Sequence, residues 1–83
     1  MAKIQKRLTL DRSSTYQIKI PGHLDESWTE WDGNMTVVVE VDENDLPFTT
    51  IIGKMDQAAL HGLLRRLYSL GLPIITVRCT DFD

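Results

Sequence analysis

Between Asp56 and Pro73 the apolar residues of this chain change their spacing, and that change constrains the fold more than any other feature. Ala59, Leu60, Leu63, Leu64, Leu67 and Leu70 recur at intervals of three and four, the period that gathers side chains on one face of an α-helix. Asp56 stands where a carboxylate accepts from the free N–H groups of a first turn. Gly71 supplies a left-handed C-terminal residue, Leu72 can fold back on Leu67, and Pro73 ends the helix. Elsewhere the apolar residues alternate at period two, so the chain must place one main helix against strands.

Those strands are legible from the same rule. Tyr16, Ile18 and Ile20 alternate with Gln17 and Lys19 until Pro21-Gly22 breaks the run. Met35, Val37, Val39 and Val41 repeat the pattern, and the β-branched run Thr36 to Val39 makes this the clearest strand in the chain. Asp42 to Pro47 reads as a turn, from which Phe48 to Ile52 returns antiparallel. Ile74 to Thr80 forms the last strand, with Ile75, Val77 and Cys79 on one face and Ile74, Thr76 and Arg78 on the other. The reading is an α+β fold, β-β-β-α-β: an antiparallel meander with one helix packed on one sheet face and a final strand. A right-handed crossover through the helix returns the last strand parallel to the third, and the preferred strand order is 4-1-2-3.

Eighty-three residues suffice for one small core, burying about 60 to 65% of the unfolded surface, and exclude an enzyme with an interdomain cleft. The domain is expected over 14–83, preceded at 1–13 by a basic, partly disordered tail. Residues 1 to 20 are net +4, whereas residues 21 to 53 hold eight acids and no Lys or Arg. That acidic middle would repel phosphates, so nucleic acid is not the expected partner. The chain has no apolar run long enough to span a bilayer, and no apolar segment follows the basic start as in a secretory signal. Cys79 is the one cysteine, which rules out an internal disulfide and makes a reducing cytoplasm the expected compartment.

Gly22 to Asn34 is too long for a tight hairpin and unusually rich in Trp for a solvated loop. Ser27 and Glu30 have the spacing of a capping box, which predicts a turn of helix carrying Trp28 and Trp31 on one side. The two indoles either close the core at one end of the sheet or form a partner-binding hot spot.

Tyr16-Gln-Ile-Lys-Ile-Pro-Gly-His-Leu-Asp25, then Ser27-Trp28 and Trp31, and later Asp56-Gln-Ala-Ala-Leu-His-Gly-Leu-Leu64 followed by Leu70-Gly71-Leu72-Pro73, carry a resemblance. Over about residues 15 to 79 the chain resembles a family of small uncharacterised bacterial proteins. In place of an aromatic residue after the second Trp it has Asp32 and Gly33. The resemblance implies a stable recurring domain and assigns no catalytic residue.

Function has to come from the side chains. Gln57, His61, Arg65 and Tyr68 share one flank of the helix and could bind an anion or polar ligand, although a boundary His and Tyr at the rim of a core account for them as well. Gly62, in the middle of the helix, suggests that another backbone approaches there. His23, Asp25, Glu26 and Asp32 lack metal-ligand spacing, and Asp42 with Asn44 begins a calcium-loop pattern that fails at Leu46, so no metal site and no cofactor are expected. Cys79 alternates with Ile75 and Val77 and reads as a small apolar residue. No grouping carries catalysis. The sheet face away from the helix is expected to show Gln17, Lys19, Thr36, Val38, Glu40, Ile74, Thr76 and Arg78. Trp28, Trp31, Val38, Ile74 and Arg78 are therefore the expected partner-binding residues of a small cytoplasmic interaction or regulatory module that pairs with a protein or with itself as a homodimer. The alternative is a small-ligand binder or minor enzyme using the Gln57, His61, Arg65 and Tyr68 flank.

Overall fold

A computed structural model describes residues 8–24 and 35–81. They contain β1 (Ser14–Pro21), β2 (Met35–Val41), β3 (Pro47–Met55), α1 (Gln57–Ser69) and β4 (Thr76–Cys79). The class is α+β, in the expected element order. Every pair of adjacent strands is antiparallel.

The order across the sheet is β2-β3-β1-β4, which corrects the expected 4-1-2-3. β4 does lie beside β1, but β1's other neighbour is β3. Connection length explains the difference. Asp42–Leu46 is short enough for a hairpin, so β2 and β3 pair directly, whereas residues 22–34 are long enough to carry the chain back to the sheet's starting end. β2 consequently runs parallel to β1 with β3 between them, and β4 runs parallel to β3 with β1 between them. The β3-α1-β4 crossover, with β1 between its two strands, is a split β-α-β unit.

Local chemistry sets each boundary. Asp42 Oδ1 accepts from the N–H groups of Asn44 at 2.8 Å and Leu46 at 2.9 Å, and Asp45 takes the left-handed conformation at φ 62°. Asp42 N–H donates to the Leu46 carbonyl at 2.9 Å, completing a type I turn with a bulge, so the expected turn is there without a calcium loop. The Asp56 side chain accepts from Ala59 N–H at 2.9 Å as the N-cap of α1. At the other end Gly71, at φ 77°, donates to the Tyr68 carbonyl and Leu72 donates to that of Leu67, each at 2.9 Å, which is a Schellman motif.

The core lies between α1 and one face of the sheet. Tyr16, Ile18 and Ile20 of β1, Ile51 and Met55 of β3, and Met35 of β2 meet Leu60, Leu63 and Leu67 of the helix, with Leu24 beyond β1. Leu64 and Leu72 are partly buried against this cluster, but Ala59 and Leu70 are exposed, so the apolar stripe of α1 is narrower than its sequence suggests. Thr49 is fully buried, and its Oγ1 accepts from Leu24 N–H at 3.0 Å and donates to the Gly22 carbonyl at 2.7 Å. That hydroxyl fixes where the chain leaves β1. Of the expected tail, residues 1–7 lie outside the described residues, while the Leu10 carbonyl accepts from Gln57 N–H at 3.2 Å and ties the segment before β1 to the start of α1.

Candidate functional site

Strand register defines what the sheet presents on the face away from α1. One row runs Glu40, Phe48, Pro21; the next Val38, Thr50, Lys19, Thr76; the next Thr36, Ile52, Gln17, Arg78. Gln17, Lys19, Thr36, Val38, Glu40, Thr76 and Arg78 are on it as expected, whereas Ile74, expected at the start of the last strand, lies outside β4, which begins at Thr76. Phe48, Thr50 and Ile52 of β3 belong to it as well, and sequence reading missed them although their alternation with Thr49, Ile51 and Gly53 could have found them.

The face is only partly wet. Thr50 is buried between Val38 and Lys19, and its hydroxyl donates to Glu40 Oε1 at 3.0 Å. Lys19 extends its ammonium over the Phe48 ring, 5.4 Å from the centroid, a cation–π contact that shields the ring without removing the charge from water. Beside this pair, at the hairpin end of the sheet, a shallow cavity of about 340 Å³ is lined mainly by Phe48, Leu46, Pro47, Pro21 and Ile75, with Lys19 and Asp42 supplying opposite charges at its rim. An apolar chain segment with a polar group at either end matches that lining. The cavity was not legible beforehand, because Pro21, Leu46 and Ile75 come together only through the strand order. Ile75 precedes β4, where its N–H donates to the Lys19 carbonyl at 2.7 Å.

The expected partner-binding residues are spread out. Val38 is on the β2 edge and Arg78 on the β4 edge, both exposed, with β3 and β1 between them. Ile74 is exposed just before β4. Trp28, Trp31 and the Ser27/Glu30 capping box lie outside the described residues.

The helix flank divides in two. Gln57 Nε2 donates to the hydroxyl of the buried Tyr16 at 2.7 Å, and Gln57 Oε1 lies 3.3 Å from His61 Nε2, so one glutamine links a core phenol to a surface imidazole. With Oε1 as acceptor, His61 Nε2 carries the proton of that contact. Arg65 is exposed farther along, and Tyr68, 83% exposed, borders a separate hollow with Gly71, Leu72 and Pro73. Of the four side chains, only Tyr68 borders either of these two hollows. A Cβ built on Gly62 meets no atom within 4 Å, so nothing among the described residues uses its missing side chain. Among the described residues no group of three or more His, Cys, Asp or Glu could hold a metal ion. Cys79 Sγ donates to Asp81 Oδ1 at 3.5 Å, and the same carboxylate accepts from Thr15 N–H at 3.2 Å, which binds the end of β4 to β1.

Among the described residues no helix is long and apolar enough to cross a membrane. Comparison with curated proteins and with solved structures returns no match. A family profile does match residues 15–78, which takes in all four strands almost completely and the whole of α1. The chain belongs to the family described as Domain of unknown function (DUF8691).

Proposed function

We propose that this protein is a small interaction or regulatory module of the bacterial cytoplasm, which self-associates through its sheet and has no evident catalytic machinery. The observation that carries this reading is the sheet face opposite α1, over which no described element packs although Val38 is exposed at its margin and Phe48 and Ile52 are half-buried on it. A face of mixed apolar and polar residues is tolerable in water and is also what a partner covers. Arg78 on the same face, with Trp28 and Trp31 in the connection before β2, would supply the cationic and aromatic contacts that dominate interfaces. Light scattering over a dilution series tests the reading: a mass above 9.5 kDa that falls on dilution is expected, and a 9.5 kDa species at every concentration would overturn self-association.

A second reading rests on the Tyr16, Gln57, His61 connection, which could position an imidazole to bind a small polar ligand. Native mass spectrometry of protein taken gently from its host would show the ligand as a mass increment. If His61→Ala retains the same increment, this flank is not the binding site.

A further inference from the structure

We infer that β2 is the self-association element: two copies join antiparallel along their β2 edges, centred on Val38, into one continuous eight-stranded sheet. The inference rests on the reading of the protein as self-associating and names the element that does it.

β2 ends the sheet, and among the described residues nothing pairs with its outer side. Edge strands that remain single are normally short, bulged, or guarded by Lys or Pro. This one has seven residues, MTVVVEV, with no Lys, no Pro and one charge, and Val38, Val39 and Val41 are 40, 42 and 62% exposed. The opposite edge, β4, has four residues and carries Arg78. β2 is the unguarded edge.

The hairpin identifies which backbone groups it offers. Asp42 N–H donates to the Leu46 carbonyl, so Asp42 faces β3, and alternation turns Glu40, Val38 and Thr36 the same way. Met35, Val37, Val39 and Val41 therefore direct their N–H and C=O outward. A two-fold axis beside Val38 sets Met35 opposite Val41 of the second copy and Val37 opposite Val39, so each outward residue meets an outward partner over the whole strand. Side chains agree with this register. Val38 faces Val38, and Glu40 faces Thr36, whose hydroxyl can donate to the carboxylate; a shift of the axis to Glu40 would oppose two carboxylates.

Charge selects the direction of pairing. The β2–β3 hairpin tip holds Asp42, Glu43 and Asp45. In the antiparallel pair the two Asp42 residues are roughly 27 Å apart, well beyond the Debye length of about 8 Å, whereas a parallel pair would set the two tips side by side. The axis is perpendicular to the sheet, so both helices lie on one side and Val37 and Val39 of the two copies form an apolar strip between them. Two strands alone bury less than the roughly 1,200 Å² of a stable interface, which makes this a reversible dimer with a dissociation constant on the order of micromolar or weaker.

Two variants of the full chain test the register. Val38→Cys in a Cys79→Ser background puts two thiols at a non-hydrogen-bonded pair, about 4.5 Å between Cα atoms and within disulfide range, so oxidised glutathione should convert it to a covalent dimer. Val39→Cys in the same background, facing Val37, should stay largely uncrosslinked. Val39→Pro removes an outward N–H and no bond to β3, so it should keep its circular dichroism spectrum while the dissociation constant rises roughly 100-fold. If Val39→Pro fails to fold, the cysteine pair decides. A wild-type dimer that survives Val39→Pro folded and does not crosslink through Val38→Cys would overturn edge pairing while leaving self-association standing. Species that lengthen with concentration would also overturn it, by pointing to β2 against β4 of the next copy. A monomer at all concentrations would remove both readings.

Discussion

β1 and β2 have the same apolar alternation, yet their surroundings differ completely. Tyr16, Ile18 and Ile20 are sealed, with Ile18 at 0% exposure, while along β2 exposure grows from the buried Met35 to Val41 at 62%. β1 is flanked by β3 and β4 and shares the core cluster with the helix leucines; among the described residues β2 has one neighbour, and its far half extends beyond that cluster. A period of two shows that a segment is a strand and which residues share a face. What covers that face is decided by the other elements, and the strand that was clearest in the sequence is exposed over most of its length in the fold.

The largest expected effect tests the sealed side of this comparison. Ile18→Ala leaves a cavity in the buried cluster it shares with Leu63 and Leu67 and should cost about 3 kcal/mol, a large share of the stability of so small a domain. Urea denaturation of dilute protein measures it. A loss below about 1 kcal/mol would mean that β1 is no better packed than β2.

Thr49 should come next. Thr49→Val preserves shape but removes the hydroxyl that serves both Leu24 N–H and the Gly22 carbonyl, leaving two backbone groups without their partner beside the core. The expected loss is about 2 kcal/mol. The same change at Thr50, whose hydroxyl reaches the exposed Glu40 across the open face, should cost under about 1 kcal/mol. Equal costs would show that the two faces of β3 are not as different as their burial implies.

How much of this was legible depends on the range of the interaction. Asp56, Gly71 and Leu72 gave the helix its ends because caps act through neighbouring residues, and the Asp42 turn was readable for the same reason. The faces of β1, β2 and β4 followed from parity. The strand order did not, because it depends on which strands pair over long sequence separations, and no local rule specifies that. With the order went the cavity of Pro21, Phe48 and Ile75. The helix flank was half legible: Gln57 and His61 are one turn apart and do meet, but the glutamine's second partner, Tyr16, is distant in sequence.

Gly62→Ala sharpens the comparison from the helix side. The added methyl meets no atom within 4 Å, so helix propensity acts unopposed and should stabilise the protein by about 0.5 to 1 kcal/mol. Hydrogen exchange should show where the gain goes. Greater protection is expected in α1, β1 and β3, which share the core, with little change along the outer half of β2. Destabilisation would instead mean that the helix surface at Gly62 is occupied by something the described residues do not include.

The smallest effect is the most discriminating. Val41→Thr retains a β-branched side chain, and with it strand propensity, while exchanging a methyl for a hydroxyl at a position already in contact with water. For a single copy the change in stability should stay within about 0.5 kcal/mol, as at other exposed positions. In β1 the same loss of apolar character at a sealed position would be severe, so a near-zero result confirms that the shared pattern conceals two environments. Protein concentration separates the remaining possibilities. A penalty present in the most dilute sample would place Val41 under cover within its own chain, and the contrast with β1 would fail. A penalty that emerges only as concentration rises would place the burial between two copies, with Val41 against Met35 of the second β2.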